Sequence, residues 1–284
     1  MNVLRGIKWR YPLIALLAVA AVAVAVSTLR PQLVTAVTAK KPGATERIRQ
    51  DPPPTLFTDA EIAAIGAAAD AQRAQADALF AQWRTAHGTT RDDRAFTAWA
   101  ARQVPAPPSA KQRAAELRQD QALAKSRTAA GRKAATWLEL YGKKDIWRLY
   151  LHDQRELVPG TRGNSEKAEL KAALTLAKTI SDQVAAEDRQ PAPFVLDPTL
   201  RPDKPVTPGA KGPYSYPSRH ATRSAAAVTF LSALSPHRAA EYRWMQDEVL
   251  YSRLYMAGHV TSDLTAGTLL GDLIGDYELA VSGH

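Results

Sequence analysis

Ser252-Arg253-Leu254-Tyr255-Met256-Ala257-Gly258-His259-Val260-Thr261-Ser262-Asp263 places a cation, an imidazole and a carboxylate in one short stretch. Arg253 reads as the end of one helix, Gly258 as its break, and His259 as a turn residue. Ser262 or Asp263 then starts the final helix. The four-residue step from His259 to Asp263 lets the carboxylate accept a hydrogen bond from one ring nitrogen, which fixes the tautomer and aims the other nitrogen outward. The planar fork of Arg253 suits phosphate oxygens. By themselves these residues also fit a plainer reading, in which Arg253 and Asp263 cap helix ends.

Upstream, Tyr214-Ser215-Tyr216-Pro217-Ser218-Arg219-His220-Ala221-Thr222 lies where a long Pro-rich stretch (191–217) meets a helix. Ser218 is a natural N-cap, and Ala227, Phe230, Leu231 and Leu234 form an apolar stripe behind it. A helix N-terminus offers free N–H groups to an anion, and His220 sits in its first turn. Alone, this segment equally fits a capped helix with a surface histidine.

Together the two segments resemble a known family. Pro217-Ser218-Arg219-His220 is similar to the Pro-Ser-Gly-His motif of the PAP2 (phosphatidic acid phosphatase type 2) superfamily. Arg253, His259 and Asp263 meet its Ser-Arg-x5-His-x3-Asp pattern at every specified position. The resemblance runs over about residues 130–280 and is nearest to the bacterial class A nonspecific acid phosphatases, through Pro193-Phe194-Val195-Leu196, Arg201-Pro202 and Ser215-Tyr216-Pro217-Ser218. Vanadium haloperoxidases share the scaffold.

The resemblance implies an all-α helical bundle of the PAP2/haloperoxidase type and a phosphomonoesterase that needs neither metal nor cofactor. In that scheme His259 attacks phosphorus to give a phosphohistidine, Asp263 orients it, and His220 protonates the leaving oxygen and then activates water. Arg253, Ser218 and the backbone N–H of Arg219 hold the phosphoryl oxygens. The expected ligand is a phosphorylated small molecule or a lipid phosphate.

The chain departs from the family at two places. The first family motif, Lys-x6-Arg-Pro, falls on Ala185 and Ala192 when aligned on Pro193-Phe194. Arg201-Pro202 gives a second registration, with Phe194 at the lysine place. Arg219 stands where the second motif has glycine. Its guanidinium, or that of Arg189, is a candidate to replace the missing cations. The alternative is an impaired PAP2-fold protein with a phosphate-binding or envelope-interaction role. Haloperoxidase chemistry and a metallohydrolase using His220, His259 and Asp263 as ligands are further readings.

The rest of the chain sets the context. Among 284 residues there is no cysteine, which excludes disulfides, thiol catalysis and cysteine-held zinc. The net charge of +9 favours anionic ligands, yet no nucleic-acid motif accompanies it. Arg5, Lys8 and Arg10 precede an uncharged apolar run, Tyr11 to Val26. Residues 1–39 therefore read as a cleaved signal peptide or a membrane tether through 11–26, and the remainder as periplasmic or otherwise extracytoplasmic. Residues 40–57 read as a linker and 58–130 as an Ala-rich helical extension. Residues 131–284 read as the phosphatase-like domain. Thr58 with Glu61 has capping-box spacing, and Ser109 and Ser165 are further N-caps. Pro159-Gly160 and Gly163-Asn164 mark a turn. The closing helices are expected at about 219–234, 238–257 and 263–280. The sequence sets no oligomeric state.

Overall fold

Residue Thr58 shows how local chemistry starts an element. Its hydroxyl accepts from the Glu61 N–H at 3.3 Å, and the Glu61 carboxylate accepts from the Thr58 N–H at 2.8 Å. This reciprocal cap opens a 29-residue helix. The computed structural model describes residues 42–157 and 163–284. The expected signal or tether at 1–39 and the Pro159-Gly160 turn lie outside them.

Among the described residues the chain is all-α. In order come α1 (Ala44–Gln50), α2 (Asp59–His87), α3 (Asp93–Gln103), α4 (Ala110–Lys125), α5 (Ala129–Tyr141) and α6 (Asp145–Leu157). They are followed by α7 (Gly163–Asp188), the single turn α8 (Pro193–Leu196), α9 (Arg219–Leu234), α10 (Ala239–Tyr255) and α11 (Thr261–Ser282). The β-type pairing described is one isolated bridge, Pro191 to Tyr214. None of the described helices is long and apolar enough to cross a membrane.

Several boundaries differ from the expectations. The segment read as linker holds α1, which buries Ile48 and joins Arg47 to Asp145 of α6 at 2.6 Å. The helix expected to run from Ser109 to about 130 stops at Lys125. Thr128 caps a new one, its hydroxyl accepting from the Gly131 N–H. Gly163-Asn164 forms the first residues of α7 rather than a turn, so α7 starts before Ser165. The helix break expected at Gly258 falls one residue earlier, where Ala257 takes φ +48°.

Helices α2 to α4 pack within the same compact unit, Gly43–His284, as α5 to α11. Trp83 and Phe96 meet Tyr277 of α11, with Phe96 and Tyr277 stacked at 3.9 Å. A second cluster gathers Phe57, Trp137, Trp147, Phe230 and Tyr242. Burying a large side chain of this kind contributes about 1.5–3 kcal/mol each.

The seam between α9 and α11 positions the site. Gly267, Gly271 and Gly275 recur at four-residue steps on α11 and face Ser218, Thr222 and Thr229 of the α9 strip. A Cβ at Gly267 would lie 2.6 Å from the Ser218 carbonyl oxygen. Only hydrogen at these places lets the two backbones approach so closely. The Ser218 N–H then donates to the Asp263 carbonyl at 2.8 Å, which ties the N-terminus of α9 to that of α11.

Candidate active site

Four elements converge on one cluster. Ser218 and His220 come from the start of α9, Arg253 from the last turn of α10, and His259 from the turn after it. Asp263 comes from the first turn of α11. Ser218 and Asp263 are completely buried, and His220 and Arg253 nearly so. The His220 and His259 rings face each other edge to face, with centroids 6.4 Å apart and planes at 70°.

The His259 Nδ1–H donates to the Ser215 carbonyl at 2.9 Å. The Asp263 Oδ2 lies 3.7 Å from the same nitrogen, so the carboxylate faces it while the shorter bond goes to the backbone. Both acceptors fix one tautomer and leave Nε2 with its lone pair free. Burial pushes the His259 imidazole down, against the pull of Asp263. A neutral ring is the form a nucleophile needs.

Asp263 is held from three sides. Its Oδ2 accepts from the Val260 N–H at 3.1 Å, closing the N-terminus of α11. Its Oδ1 accepts from Arg113 Nη1 at 2.8 Å. Burial works to raise this carboxyl, but the contacts to His259 and Arg113 hold it below the usual range. Arg113 also donates through Nη2 to the Pro191 carbonyl at 2.6 Å and to Ser215 Oγ at 2.9 Å. One guanidinium on α4 thus holds the Asp263 carboxylate and the Ser215 hydroxyl, side chains of the two residues that face His259 Nδ1.

The His220 Nε2 meets the Glu139 carbonyl at 3.2 Å, a contact in which the ring nitrogen donates. Burial, then Arg253, Lys143 and His259, depress this imidazole well below its ordinary value. Nδ1 is the nitrogen left for chemistry. The Ser218 hydroxyl accepts weakly from the Ala221 N–H at 3.4 Å, and its own proton stays available.

Arg253 uses Nη2 on Glu139 at 3.2 Å, while its buried Nε and Nη1 have no hydrogen-bond partner. Burial pushes the guanidinium down, and an anion at these two donors would relieve that cost. Gly258 makes room for it, since a Cβ there would lie 3.0 Å from Arg253 Nη2. That space is the role of Gly258, and Ala257 carries the left-handed turn.

The remaining expected groups are placed as follows. The Arg219 guanidinium turns to Asp182 of α7 at 3.2 Å, and only its backbone N–H stays at the site end of α9. Arg189 donates to the Ala186 carbonyl of its own helix end. Ala192 is buried in an apolar cluster with Phe194, Leu200 and Ala257. The Pro193 registration therefore puts no cation at the site, whereas the Arg201-Pro202 registration does. Arg201 is buried and reaches Glu139, the same carboxylate that holds Arg253. Lys143, in the turn between α5 and α6, adds a half-buried ammonium with no ion pair among the described residues. Burial and the neighbouring Arg219 and Arg253 push it down. Arg113, Glu139 and Lys143 were missed from sequence because no motif marks them. Arg201 carried one signal, its Pro202 neighbour.

Among the described residues no three His, Cys, Asp or Glu side chains form a metal-holding group. Comparison with known proteins places the site in a family context. Residues 173–277 match the family model described as the PAP2 superfamily, a range holding Ser218, Arg219, His220, Arg253, His259 and Asp263. A similar solved structure is a transmembrane PAP2-type phosphatidylglycerolphosphate phosphatase from Bacillus subtilis. Identity is 15%, covering 67% of this chain and 94% of that one, with a TM-score of 0.44. No curated protein matches.

Proposed function

We propose that this chain, with its PAP2 superfamily domain at residues 173–277, is a metal-independent phosphomonoesterase acting outside the cytoplasm. One observation carries the reading. Two depressed imidazoles, edge to face with centroids 6.4 Å apart, lie near a buried guanidinium whose Nε and Nη1 have no hydrogen-bond partner. That arrangement suits a phosphoryl group better than any other common ligand.

In the first step His259 Nε2 attacks phosphorus. The N–P bond forms as the bond to the leaving oxygen breaks, and that oxygen takes a proton from His220 Nδ1. The substrate dianion, entering beside His220, raises its proton affinity and supplies the protonated form. In the second step water attacks phosphorus, its proton passes to His220, and the N–P bond breaks. Arg253, the Ser218 hydroxyl and the free N–H groups at the start of α9 stabilise the equatorial charge. The clamp of Arg113 on Asp263 and Ser215 keeps the His259 ring aimed throughout.

A soluble phosphoester and a lipid phosphate both fit this chemistry, and a tether through residues 11–26 would favour the lipid. The experiment is hydrolysis of para-nitrophenyl phosphate by wild type and His259→Ala, at mildly acidic to neutral pH with chelator present. Chelator-resistant turnover that the substitution abolishes supports the reading. Equal rates in the two folded proteins contradict it. A second reading, an anion-binding protein without turnover, is favoured by Phe194 at the lysine place in the Arg201-Pro202 registration.

A further inference from the structure

The carboxylate of Glu139 stands in an unusual position. It lies near the C-terminal end of α5, whose other buried residues, such as Trp137, Leu138 and Tyr141, serve the core. Its Oε1 accepts from Lys204 Nζ at 2.5 Å. Its Oε2 accepts from Arg253 Nη2 at 3.2 Å and lies 3.5 Å from Arg201 Nη1. Three cations from two segments, Arg201 and Lys204 in one loop and Arg253 on α10, thus point at one carboxyl group. Two of them, Arg201 and Arg253, are almost wholly buried. Arg201 is also paired through Nε and Nη2 with Asp203, at 2.8 and 2.7 Å, whereas Glu139 is the carboxylate paired with Arg253 among the described residues. A buried cation without an anion is costly, so Arg253 requires an anionic occupant there. The side chain of Glu139 keeps 23% of its surface exposed, so solvent reaches it where it meets the cations.

Arg253 therefore has two calls on its donors. Its Nη2 is taken by Glu139, while its buried Nε and Nη1 have no hydrogen-bond partner. A phosphoryl group seated between the rings presents several anionic oxygens. A bidentate grip on such a group needs adjacent guanidinium donors, and both forks of a guanidinium, Nε with Nη2 and Nη1 with Nη2, include the Nη2 that Glu139 holds.

We propose that Glu139 is an internal counter-anion occupying the subsite formed by Arg201, Lys204 and Arg253, and that an incoming phosphoryl dianion displaces it from Arg253. The proposal rests on the phosphate-site reading given above and adds its regulation. Lys204 and Arg201 keep the displaced carboxylate close, so it returns when phosphate leaves. Displacement does not wait for protonation, because the surrounding cations, Arg253 first, hold the Glu139 carboxyl down at about 2 against the opposing effect of burial. The backbone of the same residue accepts from His220, so α5 couples the counter-anion to the histidine that handles the proton.

The test is calorimetric titration of the full chain with inorganic phosphate, which needs no turnover. Wild type, Glu139→Gln, Glu139→Asp and Arg253→Ala are compared, each checked for folding by thermal denaturation. Removing an ionic competitor for one guanidinium donor should tighten phosphate by roughly ten- to hundredfold in Glu139→Gln. Glu139→Asp retains the charge but is one methylene too short to hold Arg253, so displacement predicts that it tightens phosphate too. Tightening in the Gln variant alone would show a simple field effect and overturn the proposal, as would unchanged or weaker binding in both. Arg253→Ala separates this proposal from the phosphatase reading. If it binds phosphate as wild type does, or if no variant binds phosphate, the phosphate site itself is misplaced and both fall. If Arg253→Ala loses binding and the Glu139 variants bind like wild type, only the counter-anion role falls.

Discussion

Arg113→Met removes the guanidinium that clamps Asp263 while keeping much of the side-chain volume. The partner left behind is a fully buried carboxylate, and Arg113 is itself nearly buried, so solvent screens the pair little. Breaking such a pair from one side costs about 3–5 kcal/mol. The two bonds to Pro191 O and Ser215 Oγ are lost with it, at about 0.5–1.5 kcal/mol each before the site relaxes. A destabilisation of at least about 4 kcal/mol near neutral pH is expected from urea unfolding. The pH dependence has a defined sign. Asp263 has a depressed folded pKa, so its stabilisation is present above the unfolded value of 3.8 and is lost as pH falls through the folded value. The gap between wild type and variant should therefore be largest near neutral pH and shrink in acid. A gap below about 0.5 kcal/mol at neutral pH, or one that grows in acid, would refute the clamp.

Three further outcomes follow from the same geometry. Gly258→Ala brings a Cβ to 3.0 Å from Arg253 Nη2, so kcat/KM should fall about ten- to hundredfold while the urea midpoint barely moves. In free protein followed by imidazole NMR, His220 should stay neutral well below pH 6.5, and vanadate should raise its titration point. Burial raises the Glu248 carboxyl from 4.5 to about 8, against the Phe57 N–H bond. A raised carboxyl stabilises below its unfolded value and loses that contribution as pH rises through its folded value. Glu248→Gln, which does not titrate, should match wild type within about 1 kcal/mol in mild acid and exceed it by a few kcal/mol above pH 8, as measured by unfolding across pH.

The sequence made the site's short-range logic readable. Ser218, His220, Arg253, His259 and Asp263 sit at cap and turn positions whose spacing along one chain already suggests chemistry, and the structure brings them together. Its limits were long-range. Arg113 meets Asp263 across 150 residues and lies in an Ala-rich helix with no motif around it. Glu139 sits in sequence among bulky core residues, and its three cations come from residues 62 or more positions away. Arg219 illustrates a different limit. Its charge was legible as a candidate replacement cation, but Asp182 lies within reach on α7 and takes the guanidinium. The left-handed turn after α10 falls on Ala257 and not on Gly258, although glycine is the usual left-handed residue. Here the glycine is required by the space that Arg253 fills.

The phosphorylated state of His259 tests the central claim most directly. Protein mixed with a phosphoester labelled at phosphorus is quenched in base, which preserves phosphohistidine, and then digested and sequenced by mass spectrometry. The account predicts label on the peptide carrying His259, lost on acid treatment, absent in His259→Ala and, with labelled para-nitrophenyl phosphate, whose leaving group departs without an acid, accumulating in His220→Ala, where the second step lacks its base. Turnover with no label on His259, or label on another residue, would contradict it.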